Sequence, residues 1–150
     1  PKVKLYFEDG AKFVKRYKDY FDVIIVDSTD PMGPGIVLFQ KEFYQDMFYC
    51  LNSEGIVVSQ LESIYLHLKI IRSVLSFSRE IYPIVSYYTT NVPTYPSGMI
   101  GFGFLSKKYR PEEFDLKRAE GLKDLKYYTP KIHNKAFCLP RFCEYLVEKG

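Results

Sequence analysis

Phe21-Asp22-Val23-Ile24-Ile25-Val26-Asp27-Ser28-Thr29-Asp30-Pro31-Met32-Gly33-Pro34-Gly35 decides how this chain folds. The first half is a short β-branched run ending at an aspartate, which predicts a strand buried on both faces of a parallel sheet. Prolines and glycines interrupt the second half, so it cannot continue the strand. Asp27 and Asp30 are therefore expected to leave the carboxyl end of a sheet strand on a rigid turn. Open α/β sheets place their ligands at that edge. A strand followed by one aspartate is common among nucleotide-binding folds. The fuller pattern Asp-x-x-Asp-Pro-x-Gly-Pro is much more specific.

Working outward, residues 3–7 alternate weakly before Glu8-Asp9-Gly10 and predict a strand and a turn. Residues 11–20 carry Phe13, Val14 and Tyr17 at the spacing of a short amphipathic helix. Downstream, residues 40–51 predict a helix with Phe43, Met47 and Leu51 on one face, broken by residues 52–55. Residues 56–60 predict a third buried strand, and 63–77 a helix through Leu66, Ile70, Val74 and Phe77. Residues 84–90 and 99–106 then read as strands around a proline-rich loop, Asn91 to Gly98, too long for a tight turn. A helix over 111–119 starts with proline at its first position, and a closing helix lies within 133–148, kinked or delayed by Pro140. This order predicts an α/β fold: the second half of a nucleotide-binding sheet, ending in an antiparallel strand pair.

The 150 residues suffice for one domain with a real core. Hydrophobic residues make up 47% and charged residues 26%, both ordinary for a globular protein. No apolar run approaches the ~20 residues that span a bilayer, and no signal-peptide pattern opens the chain, so a soluble cytoplasmic protein is expected. Cys50, Cys138 and Cys143 lack paired metal-ligand spacing and read as reduced thiols. Net charge is +3 with the basic residues spread out. Lys107-Lys108 with Arg110 reads as a solvated loop rather than a nucleic-acid site. The many tyrosines and phenylalanines fall mostly at core spacing and read as packing. Because the chain opens at Pro1 straight into a strand-like segment, it is expected to be the later part of a longer polypeptide.

A set of segments in one order carries a resemblance. They are Asp27-Ser28-Thr29-Asp30-Pro31-Met32-Gly33-Pro34, Leu38-Phe39, Gln60, Pro93-Thr94-Tyr95-Pro96-Ser97-Gly98, Tyr127-Tyr128, His133, and Ala136-Phe137-x-Leu139-Pro140. Together they resemble the carboxyl-terminal portion of the spermidine synthase family, the polyamine aminopropyltransferases. The resemblance implies a Rossmann-like sheet of the class I methyltransferase type. It also implies a preceding small β-stranded domain, a Gly-rich loop and an acidic ribose-binding residue, none of which these residues contain. These residues alone are thus expected to lack half of the site.

The resemblance further implies transfer of an aminopropyl group from decarboxylated S-adenosylmethionine to a diamine such as putrescine. The electrophilic carbon beside a sulfonium is already activated, so no metal or catalytic cofactor is required. The nucleophile is the difficulty. A primary alkylamine with a pKa near ~10.4 is almost wholly protonated at neutral pH. By resemblance Asp27 accepts the proton and positions the nitrogen, and Asp30 attracts the cationic amine. An ion pair at about 4 Å is worth roughly 4 kcal/mol at an effective dielectric of about 20, before desolvation is subtracted.

On the same basis Tyr95 and Gln60 face the amine and Ile100 walls its aliphatic chain. Asp9 and Gly10 meet the adenine amino group, and Pro34 and Leu38 line the adenine. Glu62 reads either as a further carboxylate or as a charge at a helix amino terminus. His67 and His133 have no metal-ligand partners at suitable spacing, and His133 reads as structural. Partners implied are small molecules, with no nucleic acid or membrane, and a homodimer or homotetramer in full-length form. Two other readings stay open: a methyltransferase on the same sheet, and a non-catalytic polyamine- or nucleoside-binding paralogue.

Overall fold

In the computed structural model, which describes residues 2–28 and 31–146, the β-branched run forms strand β1, Phe21–Val26. Helix α1 (Gly10–Val14) precedes it, started by Asp9, whose carboxylate accepts the Ala11 N–H at 2.9 Å. After β1 a 3-10 helix over Gly33–Phe39 leads into α2 (Lys41–Cys50), and β2 (Leu51–Gln60) follows at once. Helix α3 (Leu68–Ile81) then connects to the antiparallel pair β3 (Ile84–Asn91) and β4 (Met99–Ser106). Two short helices, α4 (Leu116–Gly121) and α5 (Pro130–Ala136), come after the sheet, and a 3-10 helix over Arg141–Leu146 ends the described residues.

The sheet order is β1-β2-β4-β3. β1 and β2 are parallel, joined through α2, while β4 runs antiparallel to both neighbours. The expected α/β sheet with a terminal antiparallel pair is therefore present. Tyr44, Met47 and Cys50 of α2 and Ile71, Val74 and Leu75 of α3 are buried with Leu51, Val57, Tyr87 and Leu105 of the sheet. Each such large apolar side chain contributes about 1.5–3 kcal/mol by leaving water. Two buried phenols are paired: Tyr82 donates to the Tyr44 carbonyl at 3.0 Å, and the Tyr44 hydroxyl lies 3.3 Å from Ser59 Oγ.

Several local expectations are corrected. Residues 3–7 are not a strand; they are extended and exposed, with Leu5 75% and Phe7 95% accessible, because no neighbouring strand offers them a ladder among the described residues. β1 is not buried on both faces. Among the described residues it is an edge strand, and Val23 and Ile25 are exposed there while Phe21, Ile24 and Val26 pack on the core. The first helix is shorter than residues 11–20, since Asp19 at φ 49 turns the chain before β1.

Residues 52–55 do not break off α2 but open β2, where Leu51 pairs with Phe21. Residues 63–67 form a turn ahead of α3, because Glu62 at φ 57 redirects the chain there. Both proline-containing segments divide. Residues 111–119 split into a 3-10 turn at Pro111–Glu113 and α4, and Pro140 separates α5 from the last 3-10 helix.

Candidate functional site

The carboxyl ends of β1 and β2 lie side by side, so residues after both strands meet at one sheet edge. Val26 pairs with Ser59, which sets Asp27 level with Gln60, and the Ser28 hydroxyl lies 3.4 Å from the Gln60 carbonyl. β4 starts at the same edge. Leu61 N–H donates to the Gly101 carbonyl at 2.8 Å and Gly101 N–H to the Glu62 carbonyl at 3.0 Å, so Ile100 is brought beside the end of β2. Ile100 is buried and pairs with Thr90 of β3.

Two groups of expected residues flank Asp27. On one side a cleft of about 400 Å³ is lined by Gly10, Phe13, Ile25, Asp27 and Leu38 among others. Asp9 stands next to Gly10, and its carboxylate uses one acceptor site on the α1 cap, leaving others for a ligand. Pro34 is exposed, about one turn of 3-10 helix before Leu38, and does not line the cleft. An added Cβ at Gly10 would meet nothing within 4 Å, so the protein's own packing does not demand glycine there. Asp27 itself is exposed.

On the other side lie Gln60, Ile100 and the loop that carries Tyr95. That loop is a built structure. Val92 N–H donates to the Gly98 carbonyl at 2.9 Å, Tyr95 N–H to the Val92 carbonyl at 3.0 Å, and Gly98, at φ 68, returns the chain to β4. Ser97 Oγ lies 2.8 Å from Ser63 Oγ and donates to the Met99 carbonyl at 3.0 Å, which ties the loop to the end of β2. Tyr95 is 39% exposed. Asp30 lies outside the described residues.

Glu62 and His67 were legible only in part. Glu62 is no charge at a helix amino terminus, since α3 begins at Leu68. It is a buried carboxylate with His67 Nδ1 2.9 Å from its Oε2, at the same edge as Gln60. The Tyr87 hydroxyl donates to its carbonyl at 2.7 Å, and burial pushes that phenol well above the usual tyrosine range. Isolated aspartates and glutamates are common on surfaces. Only the left-handed turn at Glu62 sends this one inward, and that turn has no sequence signature.

His133 is structural, as expected. Its Nε2 lies 2.8 Å from the Pro111 carbonyl, which can only accept, so Nε2 carries a proton, and Nδ1 lies 3.2 Å from the Tyr128 hydroxyl. Tyr127 reaches Thr90 at 2.7 Å, joining the segment before α5 to β3. Among the described residues no group of three or more His, Cys, Asp or Glu is placed to hold a metal ion. No helix there is long and apolar enough to cross a membrane.

Comparison with known proteins gives this edge a context. The chain is 48% identical over 153 residues to a polyamine aminopropyltransferase of Leptospira biflexa, covering 100% of this chain and 54% of that protein. It is 46% identical over 142 residues to one from Thermoanaerobacter sp. (strain X514), covering 95% of this chain and 51% of the relative. A crystal structure of spermidine synthase in complex with the transition state analogue AdoDATO superposes with a TM-score of 0.92 at 34% identity, over 98% of this chain and 51% of that one. Spermidine synthase from Thermotoga maritima gives 0.88 at 33% identity, over 98% and 50%. The chain thus spans about half the length of the relatives it matches. Residues 1–118 match the spermine/spermidine synthase domain, and the chain belongs to that family of polyamine aminopropyltransferases.

Proposed function

We propose that the protein carrying this chain transfers an aminopropyl group from decarboxylated S-adenosylmethionine to putrescine, giving spermidine and methylthioadenosine. One observation supports the reading: Asp27 lines the apolar cleft with Gly10 and Leu38, and it follows Val26, whose strand partner Ser59 precedes Gln60. A nucleoside bound in the cleft and an amine held at Gln60 would meet at the Asp27 carboxylate.

In the proposed reaction the amine nitrogen attacks the carbon beside the sulfonium. The carbon–sulfur bond breaks with its electron pair going to sulfur, which leaves as a neutral thioether. The amine proton passes to Asp27 and then to solvent. A carboxylate near ~3.9 is a weak base in water, but it gains when a desolvated cation faces it. Asp9, Gly10 and Leu38 are assigned to the nucleoside, with Pro34 outside the cleft contacting only a part of it that projects beyond, and Asp30, Gln60, Tyr95 and Ile100 are assigned to the amine. Glu62 adds a second negative group to that side. Carboxylates with Tyr and Ile suit a diamine, which has charged ends and an apolar middle. The proposal includes a reducing cytoplasmic setting, supported by three free cysteines, and a homodimeric or homotetrameric full-length enzyme.

The test is an assay of the full-length protein with decarboxylated S-adenosylmethionine and putrescine, following methylthioadenosine and spermidine. Equal release of both products supports the reading. Methylthioadenosine without an aminopropylated amine, or turnover only as a methyl donor reaction, would overturn it.

A further inference from the structure

A second cleft, of about 390 Å³, lies at the far end of the sheet and is lined by Arg79, Tyr82, Ile84, Arg110, Glu112 and Phe137 among others. Ile84 begins β3 and pairs with Ser106, whereas the Tyr95 loop leaves from Asn91 at the other end of the strand. Seven residues of extended chain, roughly 23 Å, separate those two ends. The cleft is therefore distinct from the Asp27 edge.

Two arginines line it. Arg79 comes from the last turns of α3, and Arg110 from the segment after β4. Among the described residues neither guanidinium is ion-paired with a carboxylate. Arg79 places one N–H on the Leu146 carbonyl and, with five donors, retains others. Its surroundings partly desolvate it, pulling the guanidinium below its usual range. The half-buried ring of Phe137 and the side chain of Ile84 supply an apolar floor, and Glu112 sets one acidic group at the margin. Planar guanidiniums match the oxygens of phosphate with paired N–H bonds, and a carboxylate nearby opposes a bare anion.

We propose that this cleft binds a small organic phosphate, with the phosphate group between Arg79 and Arg110 and the apolar body on Phe137 and Ile84. Neither arginine belongs to the Asp27 edge, so the site operates independently of it.

The experiment is calorimetric titration of the full-length protein at constant ionic strength, using phenyl phosphate in one arm and inorganic phosphate in the other. Saturable binding of phenyl phosphate, at least about tenfold tighter than inorganic phosphate, is expected. Arg110→Gln should weaken it about tenfold or more, the loss of a charge-assisted hydrogen bond. Glu112→Gln should tighten it severalfold. Methylthioadenosine binding should be unchanged in both variants. Arg79 also holds the closing 3-10 helix, so Arg79→Lys is compared with Arg79→Gln only where circular dichroism matches the parent. The lysine variant should retain more binding. Absence of saturable binding, or binding indifferent to Arg110→Gln, overturns the proposal. Equal affinity for the two probes overturns the organic part and leaves a free-oxyanion site.

Discussion

His67 Nδ1 lies 2.9 Å from Oε2 of Glu62, a carboxylate only 5% exposed just past the end of β2. The approach is off the hydrogen-bonding direction, so the attraction is one of charge when the imidazole is protonated. The imidazole side chain is 42% exposed, which screens the pair. His67→Gln is expected to lower stability by only about 0.2–1 kcal/mol, read from the urea midpoint. A loss above about 2 kcal/mol would mean that the ring, not its charge, holds this turn.

Asp27→Asn in the full-length enzyme should reduce turnover by about 10²–10⁴-fold, the usual contribution of a general base. Asp27 is exposed and is not among the buried residues, so circular dichroism and the melting temperature should match the parent. Near-normal turnover with putrescine would remove Asp27 from the chemistry.

Tyr95→Phe is expected to impair use of the amine more than binding of the nucleoside, because its loop is tied to Ser63 beyond β2 and none of its residues lines the Gly10 cleft. A lost neutral hydrogen bond corresponds to about 0.5–1.5 kcal/mol in the amine's kcat/KM. Methylthioadenosine affinity by calorimetry should stay constant. If that affinity collapses instead, the loop belongs to the nucleoside half.

Alkaline pH should loosen the core through Cys50. Burial raises its thiol from 9.0 to about 11, because the thiolate is poorly solvated between α2 and the sheet. The folded state therefore favours the protonated form. That stability is complete below pH 9 and is lost as pH rises through about 11. Tyr44, pushed from 10.0 to about 12 by burial, adds a second loss at higher pH. Thermal melts should show the decline over that interval, and Cys50→Ala should flatten it. In thiol labelling of the folded protein, exposed Cys138 should react well before buried Cys50 and Cys143.

Tyr87→Phe should lower stability by about 0.5–1.5 kcal/mol. The Glu62 carbonyl keeps the Gly101 N–H at 3.0 Å, so it is not left bare. A chemical denaturation curve with unchanged slope and a lower midpoint would fit. A changed slope would mean that the sheet edge itself had opened.

Much of the site edge was legible because local chemistry decided it. The β-branched run before Asp27 had to be extended, and the prolines after it had to end the strand, so the aspartate's place at a strand end followed. β3 and β4 were equally plain, since alternating residues flank a loop that prolines keep from pairing. Residues 3–7 misled because alternation states a capacity to pair, not the presence of a neighbour. Val23 and Ile25 misled in the same way: an apolar residue on an edge strand is buried only if something covers it. The inward turn at Glu62 and the presence of Arg79 and Arg110 in the lining of one cleft depend on tertiary geometry between distant segments.

A Cβ placed on Gly101 would stand 1.6 Å from the Tyr87 hydroxyl and 2.1 Å from the ring carbon that bears it. The phenol crosses directly over the glycine on its way to the Glu62 carbonyl. Removing the hydroxyl alone would not admit a methyl group, because the ring still fills the space. Positions 87 and 101 are thus bound into a shared fate: any sequence that drifts at 101 must first give up the aromatic ring at 87. Alanine at 101 should be ruinous beside tyrosine and bearable beside a small residue, a non-additivity that a double-mutant cycle would measure directly. The two positions should vary as a pair wherever this sheet edge is preserved.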